Sequence, residues 1–264
     1  MTNHPNASGY EYNAHTKGST ALDQFYMGAY LGYVSSNKLY SLSGKTPTGN
    51  KKIGEFRTYA QARGTGYEQA GFYQLTFMQA MAILKYKSTD SQTAICQGYV
   101  KSSHSAAVST GGGNTYGMDS GNLTSTQRQD QDHQCKCLGI EDFWGNMYWW
   151  IDGLFCDSSR NILTANNGFN DTGSGYTNNG KGASSDLSGY ISKVQGSTKT
   201  GFIVKETSGS TTTHYCDGGD LYAGRLPAFG GRWYDDAAAG LFRLSVGYSA
   251  SNAASYFGGR LMYR

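Results

Sequence analysis

Four clusters in this 264-residue chain carry side chains able to do chemistry. His133, Cys135 and Cys137 stand together in HQCKC, a donor set suited to a soft metal ion. No second cluster has metal-finger spacing, so no metal site is assigned, and a buried Cys135/Cys137 pair is the plainer reading. Asp217 and Asp220 in CDGGD set carboxylates among glycines, as a calcium loop does and as a plain turn also does. Glu141/Asp142 and Asp235/Asp236 are carboxylate neighbours, but adjacent residues on a strand face opposite ways, which makes each a poor acid/base pair. The motifs HExxH and GxSxG and a phosphate loop are all missing. No cofactor is expected. The fourth cluster is the closing segment Gly230 to Arg264, GGRWYDDAAAGLFRLSVGYSASNAASYFGGRLMYR.

That segment alternates from Leu241 to Val246. Phe242, Leu244 and Val246 would face one side, and Arg243, Ser245 and Gly247 the other, as successive strand residues do. The apolar set is ordinary core. The other set is a cation, a hydroxyl and a glycine, and Arg232, Tyr234, Asp235, Asp236, Tyr248, Asn252 and Tyr256 around it are as mixed. A regular scaffold with an arbitrary outer face suits display of a binding surface, not catalysis.

Elements that could position such a face can be read along the chain. Residues 1–24 are a polar lead-in without period. Phe25 to Val34 reads as a first strand, and Phe56 to Arg63 as a helix stopped by Gly64. A second helix, capped at Thr76, turns Phe77, Met78, Met81, Ile83 and Leu84 to the core and ends near Lys85 and Lys87. Residues 99–134 are loop. In GIEDFWGNMYWWIDGLF, which holds three of the four tryptophans, Met147, Trp149 and Ile151 alternate with Tyr148, Trp150 and Asp152, so a strand buried on both faces is expected. Shorter strands are expected near Tyr190 to Val194 and Gly201 to Val204. Helices followed by many short, glycine-punctuated strands give an α+β fold in one domain, residues 25–264.

Composition narrows the function. Charged residues are 16% and net charge is +3, too weak and dispersed for nucleic acid. No apolar run reaches the ~20 residues of a membrane span, so no membrane insertion is expected. The opening MTNHPNASGYEYNAH has no signal-peptide pattern, which points to synthesis in the cytoplasm. Five cysteines at irregular spacing make no disulfide framework. The 21 tyrosines offer broad, rigid contact area at low entropic cost.

GIEDFWGNMYWWIDG resembles the GNVWEW region of the formylglycine-generating-enzyme type of C-type lectin fold. GGRW…AGLF…SASNAAS…GGRL resembles the variable region of proteins diversified by diversity-generating retroelements, the family of the phage major tropism determinants. Weaker echoes, FYMGAYLGY and the helix pair, extend the resemblance over residues 25–264. It implies a C-type lectin fold: small twisted antiparallel sheets, two helices and long polar loops, with residues 230–264 folded across one exposed face as the variable ligand-binding region. The variable positions it implies are Arg232, Tyr234, Asp235, Asp236, Ala238, Arg243, Ser245, Gly247, Tyr248, Asn252, Ala254 and Tyr256. The fixed framework it implies is Gly230, Gly231, Trp233, Ala239, Gly240, Phe242, Leu244, Val246, Ser249, Ala250, Ser251, Gly258, Gly259, Arg260 and Leu261.

The enzymes of that fold type use reactive cysteines near the C-terminal end, whereas here none follows Cys216, and the glutamate of GNVWEW is missing from Gly145 to Trp150. Calcium lectins use Glu-Pro-Asn or Gln-Pro-Asp motifs, and neither is present. The reading is therefore a non-enzymatic receptor-binding protein of a phage or prophage tail, contacting a host cell-surface protein or glycan. A variable binding protein displayed on a bacterial surface is the alternative. A trimer would suit a fibre tip and add avidity, although no coiled coil or repeat demands one.

Overall fold

The computed structural model describes residues 13–213 and 215–264. The start of the lead-in, residues 1–12, and His214 lie outside the described residues. Among the described residues, Asn13–His15, inside the segment read as lead-in, is packed. A short turn at Asn13–His15 docks on a helix, where the Gln74 amide donates to the Ala14 carbonyl at 2.6 Å and the His15 ring meets Phe25 and Phe77, each at 5.3 Å.

Helix α1 spans Ile53–Gln61 because Ile53, Phe56 and Ala60 recur on one face and are all buried. The Glu55 carboxylate accepts the Lys52 amide at 2.9 Å and so satisfies an orphan donor at the helix start. Helix α2 spans Phe72–Tyr86, and Thr76 lies inside it instead of capping it. The start is set by a tertiary contact: the Phe72 amide donates to the Asp152 carbonyl at 2.8 Å. The core-facing row is accordingly Phe72, Leu75, Met78, Gln79 and Ala82, while Leu84, expected in the core, is 71% exposed. Two short helices follow, α3 at Ser91–Ala94 and α4 at Ser125–Gln129, each opened by a side-chain cap, from Asp90 and from Thr124.

The central sheet has six strands: β1 (Tyr148–Trp150), β2 (Leu187–Tyr190), β3 (Gly218–Leu221), β4 (Leu226–Phe229), β5 (Leu244–Tyr248) and β6 (Phe257–Gly258). Their spatial order is β2-β3-β5-β4-β1-β6. The sheet is mixed, not purely antiparallel, since β3 pairs parallel with β5 and β6 parallel with β1. Small two- and three-stranded sheets surround it, which with the helices makes the fold α+β. The stretch Phe25 to Val34 is not one strand. Tyr26–Met27 pairs with the C-terminal strand Leu261–Tyr263, and Gly32–Ser35 forms a separate hairpin with Lys38–Ser41.

Each face of the central sheet has its own core. Trp149, Phe229, Leu221, Leu244 and Val246 pack into the larger cluster, toward α2. Tyr148, Trp150, Ala228, Leu226 and Phe257 pack into the smaller one, toward α1. β1 is thus buried on both sides, and the polar edge of Trp150 is satisfied by the Lys51 carbonyl at 3.2 Å. Arg260 is fully buried, 4.7 Å from the Trp149 ring, and donates to the carbonyls of Gly28, Glu141 and Asp142 at 2.8–2.9 Å.

Candidate ligand-binding face

The closing segment becomes a strand later than its alternation suggests. Leu241 and Phe242 belong to a turn because their backbone groups bond side chains instead of a neighbouring strand. The Leu241 amide donates to Ser91 Oγ (3.1 Å), the Gln79 amide to the Leu241 carbonyl (2.8 Å), and the Phe242 amide to Asp217 (2.7 Å). β5 then runs through the middle of the sheet. Its partners advance from Leu226 to Pro227 while β5 itself passes from Tyr248 to Val246, which leaves Gly247 as an extra residue. Such a bulge reverses the alternation beyond it. Tyr248 therefore leaves the Val246 side and joins the smaller core, edge-to-face with Tyr148 (5.8 Å), Trp150 (5.9 Å) and Phe257 (4.6 Å).

Arg243 lies across this face. Its Nε donates to the Tyr148 hydroxyl at 2.9 Å, its Nη2 stands 3.3 Å from Asp220, and Asp220 also accepts from the Ser188 hydroxyl at 2.7 Å. The guanidinium needs Gly218 beneath it, where a Cβ would sit 2.5 Å from Nη1. Burial opposes the charge of Arg243, but Tyr148 and Asp220 outweigh it and raise its pKa. Arg243 was expected on the open side, yet its side chain is only 15% exposed and is tied at both ends. Ser245, expected there too, is buried, with Asp220 on β3 and Ala228 on β4 directly beside it. A central strand shields what an edge strand would expose.

Outside the strand the segment opens. Arg232 sits in a corner of two tyrosine rings, 4.2 Å from the centre of Tyr234 and 4.4 Å from that of Tyr256. The rings meet at 89° with centroids 6.2 Å apart. Asp235 accepts from Arg232 Nε at 2.8 Å and from its backbone amide at 3.2 Å. Asp236 is exposed and accepts from the Gln131 amide, and Ala238 closes the same turn, Asp236–Ala238. Asn252 is exposed and staples its own turn by accepting from the Ser249 amide at 2.7 Å. Ala254 and Gly247 are half-buried. The face therefore gathers Arg232, Tyr234, Asp235, Tyr248 and Tyr256 around Tyr148 and Arg243. Tyr148 and Asp220 are not among the positions implied for this face; the sequence offers the first as a buried strand residue and the second as a calcium-loop or turn carboxylate. The alternation of Tyr148 with Trp149 carried a signal for the first, but Asp220 needs the strand order.

The remaining chemical clusters are structural. His133 Nδ1 bonds Asp130 at 2.9 Å, while the Cys135 thiol meets that of Cys96. All five cysteines are free and buried. Burial pushes up the thiols of Cys135 and Cys137, that of Cys156 to about 12 and that of Cys216 to about 11. Only Cys96 is lowered, by its contacts with Cys135 and the Gly98 amide. Asp217 is engaged by Gln92 (3.0 Å) and the Phe242 amide, and its carboxylate fills the space a Cβ would need at Gly240. CDGGD thus pins the turn before β5.

Glu141 and Asp142 do not face apart. Asp142 has a φ of +47°, which turns the chain so that the Gln134 amide reaches both carboxylates, at 3.3 and 2.7 Å. Glu141 also accepts the Gly111 and Gly113 amides at 2.7 Å, and Asp142 the Asn146 amide at 2.8 Å. Burial, then the Glu141 charge, raise the Asp142 pKa.

Among the described residues no helix is long and apolar enough to cross a membrane. No protein-family model and no curated protein matches the chain. Among solved structures the chain is similar to a Major Tropism Determinant U1 Variant, with a TM-score of 0.33 and 14% identity over 78% of this chain. The chain spans about a third of that protein, 36% of its length.

Proposed function

We propose that this chain is a non-enzymatic binding protein of C-type lectin fold. Its segment 230–264 is a display surface diversified by a retroelement, carried at the receptor-binding tip of a phage or prophage tail and directed at a host cell-surface protein or glycan. One observation carries the reading. Within the segment Trp233, Phe242, Leu244, Val246, Phe257 and Arg260 are buried in the two cores, while Arg232, Tyr234, Asp236, Asn252, Ala254 and Tyr256 between them keep accessible surface. Fold and contact surface are thus encoded by interleaved but separate residues. Substitutions at exposed positions away from core features change stability by only about 0.5 kcal/mol, so such a scaffold tolerates variation. Tyrosine and arginine are the residue types most enriched at binding hot spots. The thiols of Cys135, Cys137, Cys156 and Cys216, buried and raised in pKa, support a role without cysteine chemistry.

The test is genetic. Sequencing around the gene in several isolates is expected to show a near-copy of the stretch encoding residues 230–264 beside a reverse transcriptase gene. The copies should differ mainly at adenines, at codons for the exposed positions. Neighbouring tail genes would place the protein on a virion. A segment that is invariant between isolates and has no second copy contradicts the proposal.

A further inference from the structure

Resting on that display reading, we infer that Arg232 is a preformed fork for a carboxylate of the partner. The aromatic corner of Tyr234 and Tyr256 fixes the plane of the guanidinium, with Tyr148 as a more distant third ring at 5.9 Å. Asp235 takes the Nε edge and the backbone amide, so the side chain is held at its base as well as along its faces. Among the described residues the two Nη groups make no hydrogen bond, and the side chain remains 24% exposed. Among the other ion-paired arginines of the described residues, Arg57 is used up in place by Asp152 and Asp171, Arg243 by Tyr148 and Asp220, and Arg264 is buried against Glu68, while Arg160 likewise pairs only its Nε, with Asp186, but has no aromatic wall among the described residues. A guanidinium already stripped of rotamer freedom loses little entropy when it binds, and its paired N–H groups match a planar carboxylate.

The surroundings select among anions. Asp235 adds negative charge beside the fork, so a dianionic phosphate or sulfate meets more repulsion than a monoanionic carboxylate. The shared chemistry is therefore a carboxylate, supplied by an acidic side chain or by an acidic sugar.

The experiment is a nitrogen-detected NMR titration of the arginine side chains in the intact protein. Glutarate is expected to shift the Arg232 Nη signals saturably, while the neutral isostere glutaramide does not and inorganic phosphate binds more weakly. Arg232→Lys keeps the charge but loses the fork and should weaken glutarate binding about tenfold or more. Tyr256→Ala, which removes one wall, should weaken it a few-fold. Thermal unfolding of both variants checks that they are folded. N-acetylaspartate amide and N-acetylneuraminate, titrated in parallel, distinguish a protein source from a sugar source. No saturable shift at Arg232, equal binding of glutaramide or phosphate, or unchanged binding by Arg232→Lys would overturn the inference. The genetic test above can fail while this titration succeeds, and the reverse, so the two are separable.

Discussion

Arg243 and Arg232 both reach toward Tyr148 from the same segment, but they belong to different regions of it. Arg243 enters β5, a strand with partners on both sides, and its donors end on Tyr148 and Asp220 inside the sheet. Arg232 lies in the turn before Asp236, with only aromatic walls and Asp235 around it, and its outer edge is open. The same residue type is a cross-strand tie in one place and is left with an open edge in the other. Position in the sheet decides, not composition. The proposed display surface would accordingly be made mostly by the turns flanking β5, with the strand itself as support.

That contrast can be broken from the inside first. Arg260→Met removes a buried cation that satisfies three carbonyls, and chemical denaturation should show a loss of about 3–5 kcal/mol. Leu244→Ala and Phe242→Ala in the larger core should each cost about 2–5 kcal/mol in the same measurement. Arg243→Ala leaves the Tyr148 hydroxyl and one side of Asp220 without their donor, and should cost on the order of 2–3 kcal/mol. A near-neutral Arg243→Ala would return that residue to the displayed set.

Acidity probes the support in another way. The folded-state pKa of Asp142 is raised, so the folded protein holds a proton that the unfolded chain has released. The stability this gives is complete below the ordinary carboxyl range and is lost as pH rises toward the folded value. Unfolding followed between about pH 4 and pH 8 should show stability falling by up to about 1 kcal/mol per pH unit, and levelling off above that. Asp142→Asn, which cannot ionise, should remove the share of that slope due to Asp142 and leave the share of the likewise raised carboxyls of Asp152 and Asp217. The smallest effects belong to the turns: Tyr234→Ala and Asp236→Ala should each shift stability by no more than about 1 kcal/mol, read by thermal unfolding.

Much of this was legible in the residues, and where reading failed the reason is tertiary. The doubly buried strand at Tyr148–Trp150 follows from bulky residues alternating without a polar side, and the face of α1 from the spacing of Ile53, Phe56 and Ala60. Thr76 has the right side chain for a cap, but the carbonyl of Asp152 already serves Phe72 four residues earlier. Leu241 and Phe242 continue the strand pattern, yet Ser91, Gln79 and Asp217 capture their backbone groups. Ser245 is hidden because its strand is central, and Tyr248 changes sides because Gly247 bulges. None of these partners is close in sequence, so no local period could report them.

The central claim is that the fold and the contact surface use different residues of one segment. The most direct measurement is a library with residues 230–264 randomised one position at a time, displayed on cells and sorted for resistance to protease. Tolerance should be broad at Arg232, Tyr234, Asp236, Asn252, Ala254 and Tyr256, and narrow at Trp233, Phe242, Arg243, Leu244, Ser245, Val246, Phe257 and Arg260. Equal tolerance in the two groups, or intolerance centred on the turn residues, would contradict it.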